Sequence, residues 1–395
     1  MLDAEYSLLL TLNSQLITKH SSIVSYLEDS MHNRVEQMTQ LAESRGLDAL
    51  VLMPGPNLLY ATGLSFFISE RPVVALCPVD APPALVVPEF EASKATSAGF
   101  EVFTYTDEEG YALAFHEACA TLELADARLG VEALRIRLLE ARILQRYAPG
   151  AELAPADDLF AELRMVKNDE ELDAMRRAVA VAERAFAVWL PQLHVGMTER
   201  EAAARLIAAL LSNGADALAF NPIVCAGPNG AMPHAHPGHR PFAPGDWLVV
   251  DWGAVVDGYD SDLTRMVVFG EPAAPLADVH EIVLRANEAG RAAVAPGVAA
   301  QDVDAAARAV ITAAGYGAQF THRTGHGLGL EAHEPPYIVA GNTQPLAPGM
   351  TFTVEPGIYL EGVGGVRIED NVVVTPAGAQ TLTTLPRSPF VVRPD

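Results

Sequence analysis

Two stretches of this 395-residue chain, about 104 residues apart, carry the same pattern. Ala243-Pro244-Gly245 leads through six steps of apolar, β-prone chain to Asp251, followed by Trp252-Gly253. Ala347-Pro348-Gly349 leads through the same six steps to Glu355, followed by Pro356-Gly357. Each stretch is followed by a returning strand with a second carboxylate, Asp262 in the first and Glu369 in the second. Such self-similarity marks a repeated supersecondary unit. It predicts an α+β domain with a pseudo-two-fold and a site on the axis.

The first repeat fixes its own geometry. Asp257-Gly258, between Val255-Val256 and Tyr259, is a two-residue hairpin signal. Counting back from that turn pairs Val256 with Tyr259, Gly253 with Asp262 and Asp251 with Thr264. Asp251 and Asp262 then become diagonal neighbours on one face, with backbones about 7 to 8 Å apart. Carboxylates reaching inward from there can bracket cations roughly 3.5 to 4 Å from each other. Asp260 shares this face and reads first as a hydrogen-bonding residue near the rim, with a ligand role as the fallback. Arg367 and Glu369 alternate along the second returning strand and share a face as well. Burying four acids in apolar strands is costly unless cations neutralise them.

Composition narrows the function. Half of the residues are hydrophobic and 19% are charged, as in folded globular chains. Fifty acidic against 26 basic residues give a formal charge of -24, which repels phosphate backbones and anionic lipids. Nucleic acid and membrane are therefore not expected partners. Cys77, Cys119 and Cys225 are too scattered for a disulfide framework or a cysteine zinc site, and no signal-peptide pattern is recognisable. The expected location is the cytoplasm.

Upstream of the repeats the pattern changes. Residues 1–30 hold eight Ser or Thr with little periodicity and read as an extension of unknown role. Residues 31–158 read as an α/β domain: a helix over Val35 to Leu47, strands Ala49 to Met53, Val73 to Cys77 and Ala84 to Val87, and helices Leu113 to Leu122 and Arg135 to Tyr147. Pro149-Gly150 and Pro155 signal a connection, which places the boundary near Asp158 and the second domain at 159–395. A helix over Asn168 to Leu190 opens that domain, and Thr198 with Glu201 has capping-box spacing for a second helix.

The glycine-rich segment His322-Arg323-Thr324-Gly325-His326-Gly327-Leu328-Gly329 presents its histidines on a tight backbone. Together with Ser261-Asp262-Leu263-Thr264-Arg265, Val354-Glu355-Pro356-Gly357-Ile358-Tyr359 and Val366-Arg367-Ile368-Glu369-Asp370, it resembles the pita-bread metallopeptidases. That family includes prolidase, aminopeptidase P, methionine aminopeptidase and creatinase. The resemblance covers about residues 33 to 390. It implies a creatinase/prolidase-like first domain and a two-metal centre, with Asp251 on one ion, His326 and Glu355 on the other, and Asp262 and Glu369 bridging. It places His234 and His333 at substrate-contacting positions, with Glu355 as proton shuttle, and gives His322, Tyr359 and Arg367 supporting, substrate-side places. His236 and His239 crowd the His234 loop and read as solvated.

One imidazole and four carboxylates suit two divalent ions of Mn, Co, Fe or Zn, with Mn or Zn favoured. A water bridging two such ions has its pKa drawn towards about 7 and can serve as the nucleophile. The implied activity is hydrolysis of the Xaa-Pro bond, preferentially in dipeptides. Aminopeptidase P activity on longer peptides is the enzymatic rival, and a non-catalytic binding protein on the same fold is the rival of another class. A dipeptide's free carboxylate calls for a guanidinium clamp. Arg71, fixed by Pro72, is the candidate from the first domain and Arg323 the rival from the second. Relatives commonly associate, so a homodimer is expected.

Overall fold

The computed structural model of the protein describes residues 33–393, so the expected N-terminal extension lies outside the described residues. The chain divides into two compact units, the first ending at Leu163 and the second beginning at Arg164.

In the first unit a helix over residues 33–44 leads into β1 (Ala49–Leu52), and β2 (Val74–Pro78) and β3 (Ala84–Pro88) follow. Three further strands, β4 (Glu101–Tyr105), β5 (Arg128–Val131) and β6 (Glu152–Pro155), complete a sheet of order β4-β3-β2-β1-β5-β6. The helices Ala112–Thr121 and Leu138–Tyr147 bury Phe115, Ala118, Ile143 and Leu144 in its core. β4 to β6 carry no clear sequence signal because two of them are edge strands, and β5 is four residues long with a glycine inside. β6 pairs with β5, so the Pro149-Gly150 turn lies inside the first unit. The division falls within the helix Asp157–Met165, a little beyond the Asp158 inferred from composition.

The second unit is built twice over. The helices Asp169–Trp189 and Glu199–Ser212, each opened by a capping box, precede β7 (Ala217–Leu218), β8 (Ile223–Ala226) and β9 (Trp247–Trp252). A hairpin of β10 (Ala254–Val256) and β11 (Tyr259–Asp260) follows, then β12 (Leu263–Phe269). In the second half the helices Leu276–Ala292 and Ala300–Ala313 precede β13 (Gly325–Gly327), β14 (Glu334–Ile338) and β15 (Thr351–Val354). The hairpin β16 (Gly357–Leu360) with β17 (Gly364–Arg367) follows, then β18 (Asp370–Thr375). The sheets run β20-β12-β9-β8 and β14-β13-β15-β18-β19, with β19 (Gly378–Thr381) and β20 (Phe390–Val392) on their edges. The echo extends to detail: the bridge Thr198–Pro241 recurs as Ala299–Pro345, and Gly196 N–H donating to Phe242 O recurs as Gly297 to Leu346 O.

Register refines the echo. Val256 faces Tyr259 and Asp251 faces Thr264, as the turn signal predicts. In the second half Val354 faces Asp370 and Gly357 faces Arg367, and the same count sets Glu355 against Glu369. Glu369 is therefore the counterpart of Thr264, and Arg367 that of Asp262. The returning carboxylates do not occupy equivalent places. The halves meet where these counterparts touch, at the bridge Thr264–Glu369.

Candidate metal centre and active site

Asp251 lies near the end of β9, Asp262 stands immediately before β12, and Glu355 and Glu369 flank the second hairpin. His326 sits mid-β13 between two glycines for a steric reason. A Cβ on Gly325 would lie 1.8 Å from Thr353 O, and one on Gly327 would lie 2.2 Å from Pro335 O. The neighbouring strands can close on β13 only because those side chains are missing.

These elements converge on three overlapping groups whose ligand atoms lie within 4.8 Å of one another: Asp251, Asp262 and Glu369; His326, Glu355 and Glu369; and Asp262, His326 and His333. His326 Nδ1 lies 3.1 Å from Gly327 O, which suits donation to that carbonyl and leaves Nε2 aimed at Glu355 Oε1, 3.1 Å away, and at Asp262 Oδ2, 3.7 Å away. Asp251 Oδ1 and Asp262 Oδ1 are buried without a hydrogen-bond partner. Buried carboxylate oxygens without partners are costly, and a divalent cation satisfies them.

The electrostatics agree. Burial, then repulsion from Glu369, Asp251 and Glu355, pushes the Asp262 carboxyl well above its ordinary range. Burial and the charges of Glu355 and Asp251 do the same to Glu369. Asp251 is raised by burial, with Arg367 opposing. For Glu355 burial opposes ionisation, but the hydrogen bond and charge of His326, with His322 and Arg367, outweigh it and bring the group down to about 2. A cluster that must otherwise take up protons is one that divalent cations stabilise.

Arg367 ties the acids together from outside. It donates from Nη2 to Asp251 Oδ2 at 2.5 Å, from Nη1 to the Tyr359 hydroxyl at 2.7 Å and from Nε to Thr264 Oγ1 at 3.0 Å, and Thr264 Oγ1 donates to Glu369 Oε2 at 2.6 Å. The Tyr359 hydroxyl lies 3.0 Å from His322 Nε2. His322, Tyr359 and Arg367 thus form one chain behind the ligand cluster.

A cavity of about 530 Å³ opens over the acids. His234, His333 and Arg323 line its polar side, and Phe220, Ile223 and Pro233 its apolar side. Burial, then His326 and Arg323, lowers His333 to about 4. Arg323 Nη2 lies 3.2 Å from His333 Nδ1, and its guanidinium covers the Tyr337 ring at 4.4 Å. His236 and His239 are exposed and do not line the cavity, and His239 Nε2 instead lies 3.2 Å from Arg200 Nη1.

Two residues weighed from the sequence, Asp260 and Arg71, stand apart from the ligand groups. Burial and then the charges of Glu334 and Glu331, against Arg164, raise Asp260 to about 8. Its shared face with Asp251 ends where the hairpin leaves the main sheet. Arg71 belongs to the first unit, where Nε and Nη2 each donate at 2.7 Å to the two oxygens of Asp107 and Nη1 reaches Glu70. That guanidinium is already occupied. The sequence reading also passed over Thr264, Phe220, Ile223 and Asn371, whose side chain bonds both the N–H and the carbonyl of Asp262. Thr264 stood inside a quoted motif, but neither a hydroxyl nor a loop aromatic carries a spacing signal.

A model of metallopeptidase family M24 matches residues 173–376, and one of the creatinase/prolidase N-terminal domain matches residues 34–166. The chain belongs to metallopeptidase family M24. It is 39% identical over 359 residues to a probable dipeptidase PepE of Mycobacterium tuberculosis, covering 88% of this chain and 92% of that protein. With an Xaa-Pro dipeptidase of Pyrococcus horikoshii it shares 32% identity over 363 residues, covering 91% and 99%. The crystal structure of a recombinant prolidase from Thermococcus sibiricus matches with a TM-score of 0.88 at 34% identity, covering 91% of this chain and 98% of that one. As an M24 metallopeptidase the protein is a hydrolase that works with divalent metal, built as a creatinase-type α/β domain followed by a pita-bread domain. Among the described residues no helix is long and apolar enough to cross a membrane.

Proposed function

We propose that this M24 enzyme hydrolyses the imide bond of Xaa-Pro dipeptides with two divalent cations. One would be held by Asp251 and the other by His326 and Glu355, with Asp262 and Glu369 shared between them. The observation that carries this reading is the pair of buried, unpartnered oxygens, Asp251 Oδ1 and Asp262 Oδ1, on two acids that group with Glu369 in the lining of the cavity. Four carboxylates balance two divalent charges, and the mixed oxygen and imidazole donors suit Mn, Co, Fe or Zn, with Mn or Zn favoured. When bound, such a pair supplies the Lewis acidity that activates water near neutral pH and polarises the scissile carbonyl.

The chain's own groups do the rest. Glu355 takes the proton of the attacking water and delivers it to the proline nitrogen. His234 and His333, on the rim of the cavity, hydrogen-bond the substrate and the developing oxyanion. His322, Tyr359 and Arg367 keep Asp251 and Glu369 in place through the chain of bonds behind them. The apolar wall of Phe220 and Ile223 suits a proline ring or the side chain before it.

Dipeptide preference needs a cation for the free proline carboxylate. Arg323 has the better claim, since it lines the cavity while Arg71 is bound to Asp107 and Glu70. The test is the ratio of activity on Xaa-Pro to that on Xaa-Pro-amide for Arg323→Ala and Arg71→Ala. Loss of a charged hydrogen-bond partner should cost the free dipeptide about 1.5 to 3 kcal/mol and spare the amide. A parental ratio in Arg323→Ala with a lowered one in Arg71→Ala would restore Arg71. A parent enzyme faster on Xaa-Pro-Xaa than on Xaa-Pro would make aminopeptidase P activity the correct reading, and hydrolysis of neither would leave a binding protein. The same reading places the enzyme in the cytoplasm as a homodimer, which light scattering at micromolar concentration would test.

A further inference from the structure

Glu199 is fully buried at the start of the helix Glu199–Ser212, and it touches none of the ligand acids. Its Oε1 accepts from Ala226 N–H at 2.8 Å, and its Oε2 accepts from Gly238 N–H at 2.8 Å and from Asn229 Nδ2 at 2.6 Å. Ala226 and Gly238 are the two ends of one loop, and His234 lies between them. Asn229 Nδ2 also donates to His236 O at 3.0 Å, tying the loop across its middle. From the other side Arg367 Nη1 donates to Pro233 O at 3.2 Å, one residue before His234. A single carboxylate thus closes the loop, and the ligand cluster's own arginine holds its tip.

The repeat shows that the fold alone does not require this group. The bridges Thr198–Pro241 and Ala299–Pro345 are counterparts, so Ala300 occupies the place of Glu199 in the second half. That helix starts without a carboxylate there. Burying a carboxylate is expensive, and it is retained in the half whose loop carries a cavity histidine.

We propose that Glu199 is the positioning residue for His234: by gathering three donors from one loop, it holds the imidazole at the cavity rim. This rests on the reading of His234 as a substrate-contacting residue. Glu199→Gln keeps the shape but turns one acceptor oxygen into a donor aimed at other donors. Assayed as metal-loaded full-length enzyme on an Xaa-Pro dipeptide, it should keep its metal content and lose about tenfold to a hundredfold, mainly in kcat. The double variant Glu199→Gln/His234→Ala should turn over within about twofold of His234→Ala alone, because the positioning has nothing left to position. A merely structural loss would multiply with that of His234→Ala instead. Asn229→Ala should show the same non-additivity with a smaller loss, and it carries the test should Glu199→Gln not fold. Parental kcat in the folded variants, or losses that multiply, would overturn the inference and leave the reading of His234 intact. Parental turnover in metal-loaded His234→Ala would remove that reading and this inference with it.

Discussion

The two halves of the second unit share a backbone plan and divide the chemistry unequally. At equivalent register the first half offers Asp251, Asp262 and Thr264, and the second offers Glu355, Arg367 and Glu369. β13 carries His326 where β8 carries the buried Cys225, since Leu248 faces Ala226 as Phe352 faces Gly327. Each half follows that strand with a loop bearing a cavity histidine, and each loop is anchored by a buried carboxylate of opposite origin. Glu199 lies outside the His234 loop and collects its N–H groups, whereas Glu334 lies beside His333 and is gripped by Lys167 and Arg164. Duplication explains where functional groups can stand, and divergence at matched positions explains which chemistry stands there.

The sharpest break of this comparison lies at the seam. Glu369→Ala should abolish turnover and release both cations, whereas Thr264→Val, at the counterpart position, should keep both and cost about tenfold to a hundredfold. Metal analysis beside the assay checks this, and equal damage at the two positions would mean that the halves are not chemically divided as described. Within the ligand set, Asp262→Ala should also lose both cations, while Asp251→Ala should retain the one at His326 and Glu355. Two full equivalents in Asp262→Ala would sink its bridging role.

The anchors differ in stability and in pH response. Burial opposes ionisation of Glu334, but Lys167 and Arg164 overcome it and hold the group below its ordinary range. A carboxyl depressed in the folded state contributes stability that is present above its unfolded value, near 4.3, and is lost as the pH falls through the folded value. Lys167→Met should therefore cost about 3 kcal/mol at pH 7 and less at strongly acid pH, measured by urea unfolding. A penalty independent of pH would mean that the lysine acts through packing alone. The smallest effect concerns the odd pair: Cys225→His should overpack the strand for about 1 to 3 kcal/mol without raising the metal count above two. A third equivalent would show that the first half can be turned into a copy of the second.

What was legible follows the strength of local signals. Asp257-Gly258 defines a two-residue turn, so the register of Asp251 against Thr264 could be counted from the chain alone. The second hairpin closes through Glu361, Gly362 and Val363 without such a signal, and its echo was therefore set two positions away from its register. The four candidate acids stood out because carboxylates in apolar strands are conspicuous, and His326 stood out through its glycine-rich segment. Glu199 was hidden inside the capping box that Thr198 forms with Glu201, where an acid in the first helical turn is ordinary. The ion pair of Arg71 was not legible, because sequence gives no sign of Asp107, 36 residues away, as its partner.

If the cations bind as proposed, the seam at Thr264 and Glu369 gives them a second task. Ligands drawn from both halves would bind together only while the halves stay in register, so each ion would work as a clasp across the joint. Occupancy at a hundred times the dissociation constant adds about 2.7 kcal/mol to folding stability for one site. A cell short of metal would then hold less of this enzyme as well as a slower one, because the unclasped chain is exposed more often to proteases.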